Sequence, residues 1–290
     1  MYEMRTKQLF ILLLFLVLGV GFLPSCKGGF GRPGGSDIVF DSIVARQHVP
    51  LFLVSDTALP YSDVNIAFIY PKKYKNRKSL TRLQQIFTGT FFGEVSYDTL
   101  APRQAMIHYL EAYTNEYREI GDMYKEEKAK LGDRGPSWYW YWLQHTNRIL
   151  YQDKALLSYA VEYSDYTGGA HGSYHITYTN IDLKKLVTLT EEDLFLPNYY
   201  KPLTEKILHQ LMREYQVEEP DSLLTHGFFT IDDIVPNNNF WLDDEGIHYS
   251  YNQYEIAPYA MGVINVMIPY SELTDLLIPG GIVQRYIQSE

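Results

Sequence analysis

The sequence predicts an α+β fold made of two small subdomains, each with a mainly antiparallel sheet packed against a helix. The predicted elements run in the order strands, helix, strands, helix, strands, rather than as alternating βαβ units. Two strand pairs also carry hairpin signatures, with polar turn residues between the strands. The chain has 290 residues, which is enough for one large or two small domains to bury a core.

The folded body is predicted to begin near Asp37 with two strands. The segments IVFDSIVARQ (38–47) and DVNIAFIYPKKY (63–74) are rich in β-branched and aromatic residues that partly alternate with polar ones. Apolar residues at helical spacing between 80 and 87 then predict a short helix.

A longer helix is predicted from Thr99 to Pro102 onward, because proline suits the first turn of a helix. The polar run KEEKAKLGDRGPS is expected to end it. Large side chains recur on one face, and we interpret them as core packing. They are Met106, Tyr109, Leu110, Tyr113, Tyr117, Ile120 and Tyr124.

A tryptophan-rich segment predicts a long hairpin. The strands are WYWYWLQHTNRILY (138–151) and KALLSYAVEYSDY (154–166). Side chains alternate along a strand, so Trp138, Trp140 and Trp142 would share one face. Either the hairpin is central and covered on both sides, or one aromatic face is exposed for binding.

The second half of the chain predicts a further set of strands around one helix. SYHITYTNID (173–182) is a predicted strand, and residues 201–215 form a helix with an apolar stripe. FWLDDEGIHYSYN (240–252) predicts a hairpin with its turn at 243–246, followed by the strand MGVINVMIPY (261–270). A short helix is predicted over SELTDLL (271–277), with Ser271 as its N-cap.

The first residues predict export. Arg5 and Lys7 precede the apolar run LFILLLFLVLGVGFL, which at about 15 residues is shorter than a membrane-spanning helix. The run ends in LPSC, which resembles the lipobox of bacterial lipoproteins and makes Cys26 the expected lipid attachment site. We therefore predict a signal peptide over 1–25, a glycine-rich tether over 26–36, and a lipoprotein facing the periplasm or the cell surface.

Composition excludes some classes of partner and chemistry. The formal net charge of −10 makes nucleic acid an unexpected partner, since phosphates require Lys and Arg patches. The single cysteine is Cys26, so neither an internal disulfide nor a catalytic thiol is expected. The 26 tyrosines suit half-buried sheets, protein interfaces and sugar-stacking surfaces equally well.

The stretch TGGAHGSYHITYTNID (167–182) is the main candidate site. On an extended strand His171 and His175 would lie about 13 Å apart, which is too far to share one metal ion. Gly168 and Gly169 suggest a special backbone geometry, with His171 as a buried, hydrogen-bonded structural bracket. Contact with a ligand, catalysis and metal binding are the alternatives, with His248 and Glu255 as possible partners. No motif for a catalytic residue, a cofactor or a metal is found.

Four ordered motifs resemble a known family. They are GGAH with the strand that follows it, LVTLTEEDLF (186–195), FWLDDEGIHYSYNQYEIAPYAMG (240–262) and VMIPYSEL (266–273). They are similar to the domain shared by the lysozyme-sensing anti-sigma factor RsiV and the peptidoglycan deacetylase PdaC. The third motif contains Tyr254 and Tyr259, which become candidate ligand contacts beside Gly168, Gly169, His171 and His175. The resemblance covers roughly 167–285, while 37–166 resemble the companion domain that precedes it.

The resemblance implies two extracytoplasmic subdomains, 37–166 and 167–290, used in binding rather than in chemistry. In PdaC-like proteins the hydrolase is a separate domain, and RsiV-like proteins begin with a cytoplasmic segment and a membrane-spanning helix. This chain is expected to differ from both. The leading hypothesis is a lipid-anchored envelope binding module for a lysozyme-type protein or a cell-wall glycan. The alternatives are an envelope hydrolase centred on His171 and a structural scaffold for another envelope protein.

Overall fold

The computed structural model describes residues 37–54, 56–132 and 136–287. A six-stranded sheet forms the N-terminal part of the fold. Its strands lie in chain order, and neighbours are antiparallel except for the second and third, which are parallel. Parallel neighbours need a long crossover, and the helices of this part lie in that connection. The strands are β1 (Val39–Pro50), β2 (Tyr61–Lys73), β3 (Tyr141–Gln152), β4 (Leu156–Tyr166), β5 (Ser173–Asp182) and β6 (Val187–Leu189).

Helix α1 (Arg77–Phe92) covers one face of this sheet. It contains the predicted helix of 80–87 and extends it in both directions. The Asn76 side chain accepts a hydrogen bond from the Ser79 amide, which satisfies one of the free donors at the helix start. Aromatic stacking then joins helix and sheet, because Phe91 lies on Phe68 with ring centroids 4.5 Å apart.

The long helix predicted after Pro102 is two helices, α2 (Pro102–Glu119) and α3 (Gly121–Leu131), which meet at Ile120. The polar run does end the helix, as predicted, but only at Gly132, because α3 includes the run's first part, 125–131. Lysine, glutamate and alanine are good helix formers, so an exposed helix needs little apolar surface there. The predicted core stripe is also only partly right, since Tyr109 and Tyr113 are half-buried.

A three-stranded antiparallel sheet forms the C-terminal part, with strands β7 (Phe240–Leu242), β8 (Gly246–Tyr251) and β9 (Ile264–Pro269). The predicted hairpin turn is confirmed, since the Asp243 carboxylate accepts hydrogen bonds from the amides of Glu245 and Gly246. Helix α4 (Tyr200–Tyr215) contributes its stripe of Leu203, Ile207 and Leu211 to the core. The predicted α+β class with two mainly antiparallel sheets is therefore confirmed.

The short helix predicted over 271–277 is wrong. A single 3₁₀ turn, Tyr270–Glu272, follows Pro269, so Ser271 lies inside the turn instead of capping a helix. The Tyr270 ring is buried and its hydroxyl donates to the Asp243 carbonyl oxygen, which directs this turn back toward the β7–β8 hairpin. The last described helix is α5 (Gln284–Ile287).

Two buried polar side chains attach the small sheet to the large one. Asn180 of β5 donates to the Phe240 carbonyl and accepts from the Leu242 amide, at 2.8 and 3.0 Å. Ser158 of β4 donates to the Leu242 carbonyl at 2.7 Å. These bonds satisfy the free backbone edge of β7, which would otherwise be buried without partners.

The subdomain boundary predicted at 166/167 falls between two neighbouring strands of one sheet. β4 and β5 pair along their length from Leu156↔Asp182 to Asp165↔Ser173, so β5 and β6 complete the N-terminal sheet. The boundary was placed where the family resemblance begins, and that point lies in the loop of this hairpin.

Residues 1–36 lie outside the described residues, and with them the predicted signal peptide, the tether and Cys26. Within the described ranges, no helix is both long enough and apolar enough to cross a membrane.

Candidate functional site

The loop of residues 167–172, between β4 and β5, lies directly on two tryptophans. Gly168 has a φ of +97°, and a Cβ atom there would come within 3.0 Å of the Trp138 carbonyl oxygen. At Gly172 a Cβ atom would lie 2.6 Å from the Asp165 carbonyl oxygen and 3.0 Å from the Trp142 ring. Such distances leave no space for a side chain, so these positions require glycine for close approach.

The tryptophans do not share a strand face as predicted. Trp138 belongs to a 3₁₀ turn, Ser137–Tyr139, and β3 begins only at Tyr141, so strand alternation does not apply to Trp138 or Trp140. Trp140 is half-buried. Trp138 and Trp142 are 42% and 40% exposed, and the Trp138 indole N–H donates to Glu127 of α3 at 3.1 Å. The aromatic side of the hairpin is therefore partly open to solvent.

His171 contacts two tyrosines of the C-terminal part. Its ring stacks on Tyr259 with centroids 3.9 Å apart and planes 24° apart. Its Nδ1 lies 2.9 Å from the Gly172 carbonyl oxygen, and its Nε2 lies 3.2 Å from the Tyr254 hydroxyl. The side chain thus makes the backbone and hydroxyl contacts expected of a bracket. The prediction that His171 is buried is wrong, because it lies in an exposed hairpin loop.

Tyr254 is held in an uncommon conformation on this surface. Its φ is +67°, in the left-handed region that bulky residues rarely occupy, and the residue is 57% exposed. Residues held in such conformations cluster at functional sites, where the surrounding structure maintains them. We use the name aromatic surface for Trp138, Trp142, His171, Tyr254 and Tyr259, which the 167–172 loop brings together.

An open cleft of about 460 Å³ lies beside the loop, and both His171 and His175 line it together with Asp165. A histidine pair beside a carboxylate is the arrangement that would favour a hydrolase. The Asp165 carboxylate, however, accepts from Ser173 at 2.5 Å and from the Tyr163 hydroxyl at 3.3 Å. The Ser173 hydroxyl therefore donates to a carboxylate, whereas a serine nucleophile requires a base such as histidine.

The other two candidate partners lie elsewhere. His248 stacks on Trp241 and its Nε2 lies 2.9 Å from Asp243, while Glu255 accepts from Asn237 at 3.2 Å. Burial alone would raise the pKa of Asp243, but the hydrogen bonds from His248 and the Gly246 amide hold it below its usual value. Among the residues that the structure describes, no group of three or more His, Cys, Asp or Glu could hold a metal ion.

The LVTLTEEDLF motif is explained by structure. Glu191 is 1% exposed, and its carboxylate accepts from the Asn238 amide, the Tyr199 hydroxyl and the Tyr249 hydroxyl. Burial raises the pKa of Glu191, and these hydrogen bonds oppose that rise. The side chain thereby ties its segment to the β7–β8 hairpin.

Sequence reasoning missed a second cleft. It lies between α2 and strands β3 and β4 and has a volume of about 270 Å³. A tyrosine stripe on a helix looks the same in sequence whether it is fully buried or lines a cleft. The relevant signal was the excess of tyrosine over phenylalanine on that stripe, since tyrosine suits a half-buried position.

The fold is that of a two-part α+β module, and two family models match successive parts of it. Residues 63–174 match the family described as deacetylase PdaC, and residues 192–271 match the protein family of unknown function DUF3298. A crystal structure of a DUF3298 family member from Bacteroides fragilis is 34% identical, with a TM-score of 0.82. The match covers 89% of this chain and 100% of that one. The chain therefore belongs to the DUF3298 family.

Two further relatives are more distant. A DUF3298 family protein from Pseudomonas aeruginosa has a TM-score of 0.56 at 16% identity, over 84% of this chain and 96% of that one, and so shares the fold. The anti-sigma-V factor RsiV of Bacillus subtilis is 28% identical over 118 residues. That match covers 38% of this chain and 39% of RsiV, so the chain spans well under half of that relative. The predicted resemblance to the RsiV and PdaC domain pair is confirmed.

Proposed function

We propose that the chain is an extracytoplasmic binding module of the cell envelope, and that its ligand docks on the aromatic surface. The observation that carries the proposal is the convergence of Trp138, Trp142 and Tyr254, all substantially exposed, around a loop fixed by close glycine contacts. Exposed aromatic side chains on rigid supports are typical of binding hot spots, because they bury large areas at a low entropy cost.

The similarity to RsiV supports the extracytoplasmic location, and the predicted export signal agrees with it. We further propose that Cys26 carries a lipid that anchors the chain to a membrane. Replacing Cys26 by serine should then move the protein from the membrane fraction to the soluble fraction without changing its melting temperature. Retention of an unprocessed serine variant in the membrane would instead indicate an uncleaved anchor helix.

The ligand classes proposed are an envelope protein of the lysozyme type and a cell-wall glycan. The acidic chain, with a net charge of −10, favours the electrostatic approach of a basic protein. Tryptophan and tyrosine rings equally provide the stacking platforms that sugars require. The two classes differ in their expected salt dependence, since charge attraction weakens as ionic strength rises.

The proposal is tested with the purified chain in detergent and two probes, a lysozyme and isolated peptidoglycan sacculi. Capture of either probe by the wild type, and its loss in a Trp138→Ala/Trp142→Ala variant, would support the proposal. Tyr200→Ala is the matched control, because Tyr200 is similarly exposed, at 50%, but lies on α4, outside the aromatic surface. Equal capture by all three proteins would contradict the proposed surface.

One observation favours a second function, a hydrolase, since His171, His175 and Asp165 line one cleft. The hydrogen bonds of Asp165 to Ser173 and Tyr163 argue against it. Release of soluble fragments from sacculi by the wild type, abolished in Asp165→Asn, would support the hydrolase. Binding without such release would support the binding module.

A further inference from the structure

The cleft between α2 and the large sheet is lined mainly by tyrosine side chains. We call it the tyrosine cleft. Three of its tyrosines project from α2, and the others come from the 3₁₀ turn before α2 and from strands β3 and β4. Its volume of about 270 Å³ is close to the lower limit of small-molecule pockets, so it suits a small group. The six tyrosines are Tyr97, Tyr109, Tyr113, Tyr117, Tyr141 and Tyr163.

Carboxylates surround these rings. Glu94 and Glu116 line the cleft, and both are exposed. Asp165 lies close enough that its negative charge acts on Tyr109, Tyr113 and Tyr163. Among the described residues that line the cleft, none is Lys, Arg or His. The local field is therefore negative, which attracts cations and repels anions.

The tyrosines themselves stay uncharged. Burial first, and then the neighbouring tyrosines and carboxylates, raise the pKa of Tyr109 and Tyr163 well above the usual value. Their rings keep the electron-rich faces that attract cations.

Behind the cleft, His145 contacts both Tyr109 and Tyr163, with ring centroids 5.8 and 5.3 Å away. His145 is 4% exposed, and burial lowers its pKa to about 4. The imidazole is therefore neutral near pH 7 and adds no positive charge to the cleft wall.

We propose that the tyrosine cleft binds a small organic ammonium ion. Aromatic faces attract such cations through their quadrupole, and adjacent carboxylates add direct charge attraction. A neutral ligand of the same shape would gain only the ring contacts. The same chemistry is presented by a free quaternary ammonium headgroup and by the lysine side chain of a protein. The tyrosine cleft is distinct from the aromatic surface and from the open cleft beside the 167–172 loop, although Thr167 lines both clefts.

The test is a calorimetric titration of the full chain in detergent with three probes. Choline represents the quaternary ammonium group, and Nα-acetyl-lysine amide, whose side-chain ammonium is free, represents a protein side chain. 3,3-Dimethylbutan-1-ol has nearly the shape of choline without its charge. Saturable binding of choline or of the lysine amide, with no binding of the neutral alcohol, would support the proposal. The tighter of the two cations would identify the source of the ammonium group.

A matched pair of variants on α2 tests the position of the site. Glu116→Gln removes a lining charge at an exposed position, and Glu111→Gln removes the same charge from an exposed position outside the lining. Glu116→Gln should weaken cation binding about fivefold, the size expected for one nearby charge, while Glu111→Gln leaves it unchanged. Equal binding of the neutral alcohol, equal effects of both variants, or no saturation by either cation up to about 50 mM would overturn the proposal.

Discussion

The imidazole ring of His171 lies 3.9 Å from the phenol ring of Tyr259, centroid to centroid, and the two rings belong to different parts of the fold. His171 belongs to the β4–β5 hairpin of the large sheet, and Tyr259 belongs to the connection between β8 and β9 of the small sheet. The aromatic surface is consequently shared by both parts. A ligand bound to the aromatic surface would contact loops of both sheets at once.

Replacing His171 should have a small effect on stability. The ring is exposed, and hydrogen bonds of exposed groups contribute little because water replaces them. His171→Ala should therefore lower the free energy of unfolding by less than about 1 kcal/mol in urea denaturation. This loss of stability is smaller than the loss expected from removing a buried, hydrogen-bonded histidine. His171→Phe, which keeps a ring for stacking on Tyr259, is the control. A loss above about 2 kcal/mol in the alanine variant would contradict this account of an exposed loop contact.

The backbone of the loop should be more sensitive than its histidine. Gly169 has a φ of +96° with open space where a Cβ atom would lie, so a substitution there acts through backbone strain. Gly169→Val should lower the free energy of unfolding by about 1 to 3 kcal/mol. Ala170→Val, at the next position, controls for the added bulk. Equal melting temperatures of the two valine variants would show that no special backbone angle is needed.

Asn180 should stabilise the junction of the two sheets. Its side chain bonds both the Phe240 carbonyl and the Leu242 amide, and it is 2% exposed. Asn180→Ala leaves the Phe240 carbonyl buried without a partner and the Leu242 amide with only a 3.4 Å hydrogen bond to the Ser158 hydroxyl oxygen, at a cost of about 2 to 4 kcal/mol. Thr177→Ala, at an exposed position of the same strand, should cost less than about 0.5 kcal/mol. Denaturant titration of both variants measures this, and similar midpoints would contradict the role of Asn180.

Stability should fall in mild acid because of His145. Burial lowers the pKa of His145 from 6.5 to about 4, so the folded state binds fewer protons than the unfolded state between those values. The contribution of the neutral His145 ring to the free energy of unfolding amounts to at most about 3 kcal/mol. It is complete above about pH 6.5 and is lost as the pH falls toward about 4.

The variant His145→Phe should flatten the stability profile over this range, when unfolding is followed in urea from pH 7 to 4. His175→Gln, which removes an exposed histidine, should retain the wild-type slope. If the free energy of unfolding of His145→Phe falls with pH as steeply as that of the wild type, the acid sensitivity belongs to other groups.

The sequence was most informative where strand-forming runs are separated by turn residues. The hairpins at 141–166 and 240–251 were predictable because β-branched and aromatic residues fill their strands and polar residues occupy their turns. Predictions failed where local pattern and tertiary context differ. Trp138 continues an aromatic run, yet the preceding Pro136 starts a 3₁₀ turn, and strand alternation begins only at Tyr141.

The candidate site was predicted in part. Gly168, Gly169, His171, Tyr254 and Tyr259 were identified from one stretch and one family motif, and the structure brings them together with Trp138 and Trp142. Their exposure was not predictable, because burial of His171 depends on how closely the small sheet approaches the loop. The tyrosine cleft was missed because helical spacing shows which residues share a face, without showing how tightly that face is covered.

The proposed binding function is tested most directly by tryptophan fluorescence titration of the chain with a lysozyme and with solubilised cell-wall glycan. We expect at least one probe to give a saturable signal. Trp142→Ala should weaken its binding at least about tenfold, the effect of removing an aromatic hot spot, while Tyr200→Ala binds as the wild type does. Saturable binding that Trp142→Ala leaves unchanged, or no binding of either probe, would contradict the assignment of the aromatic surface as the ligand site.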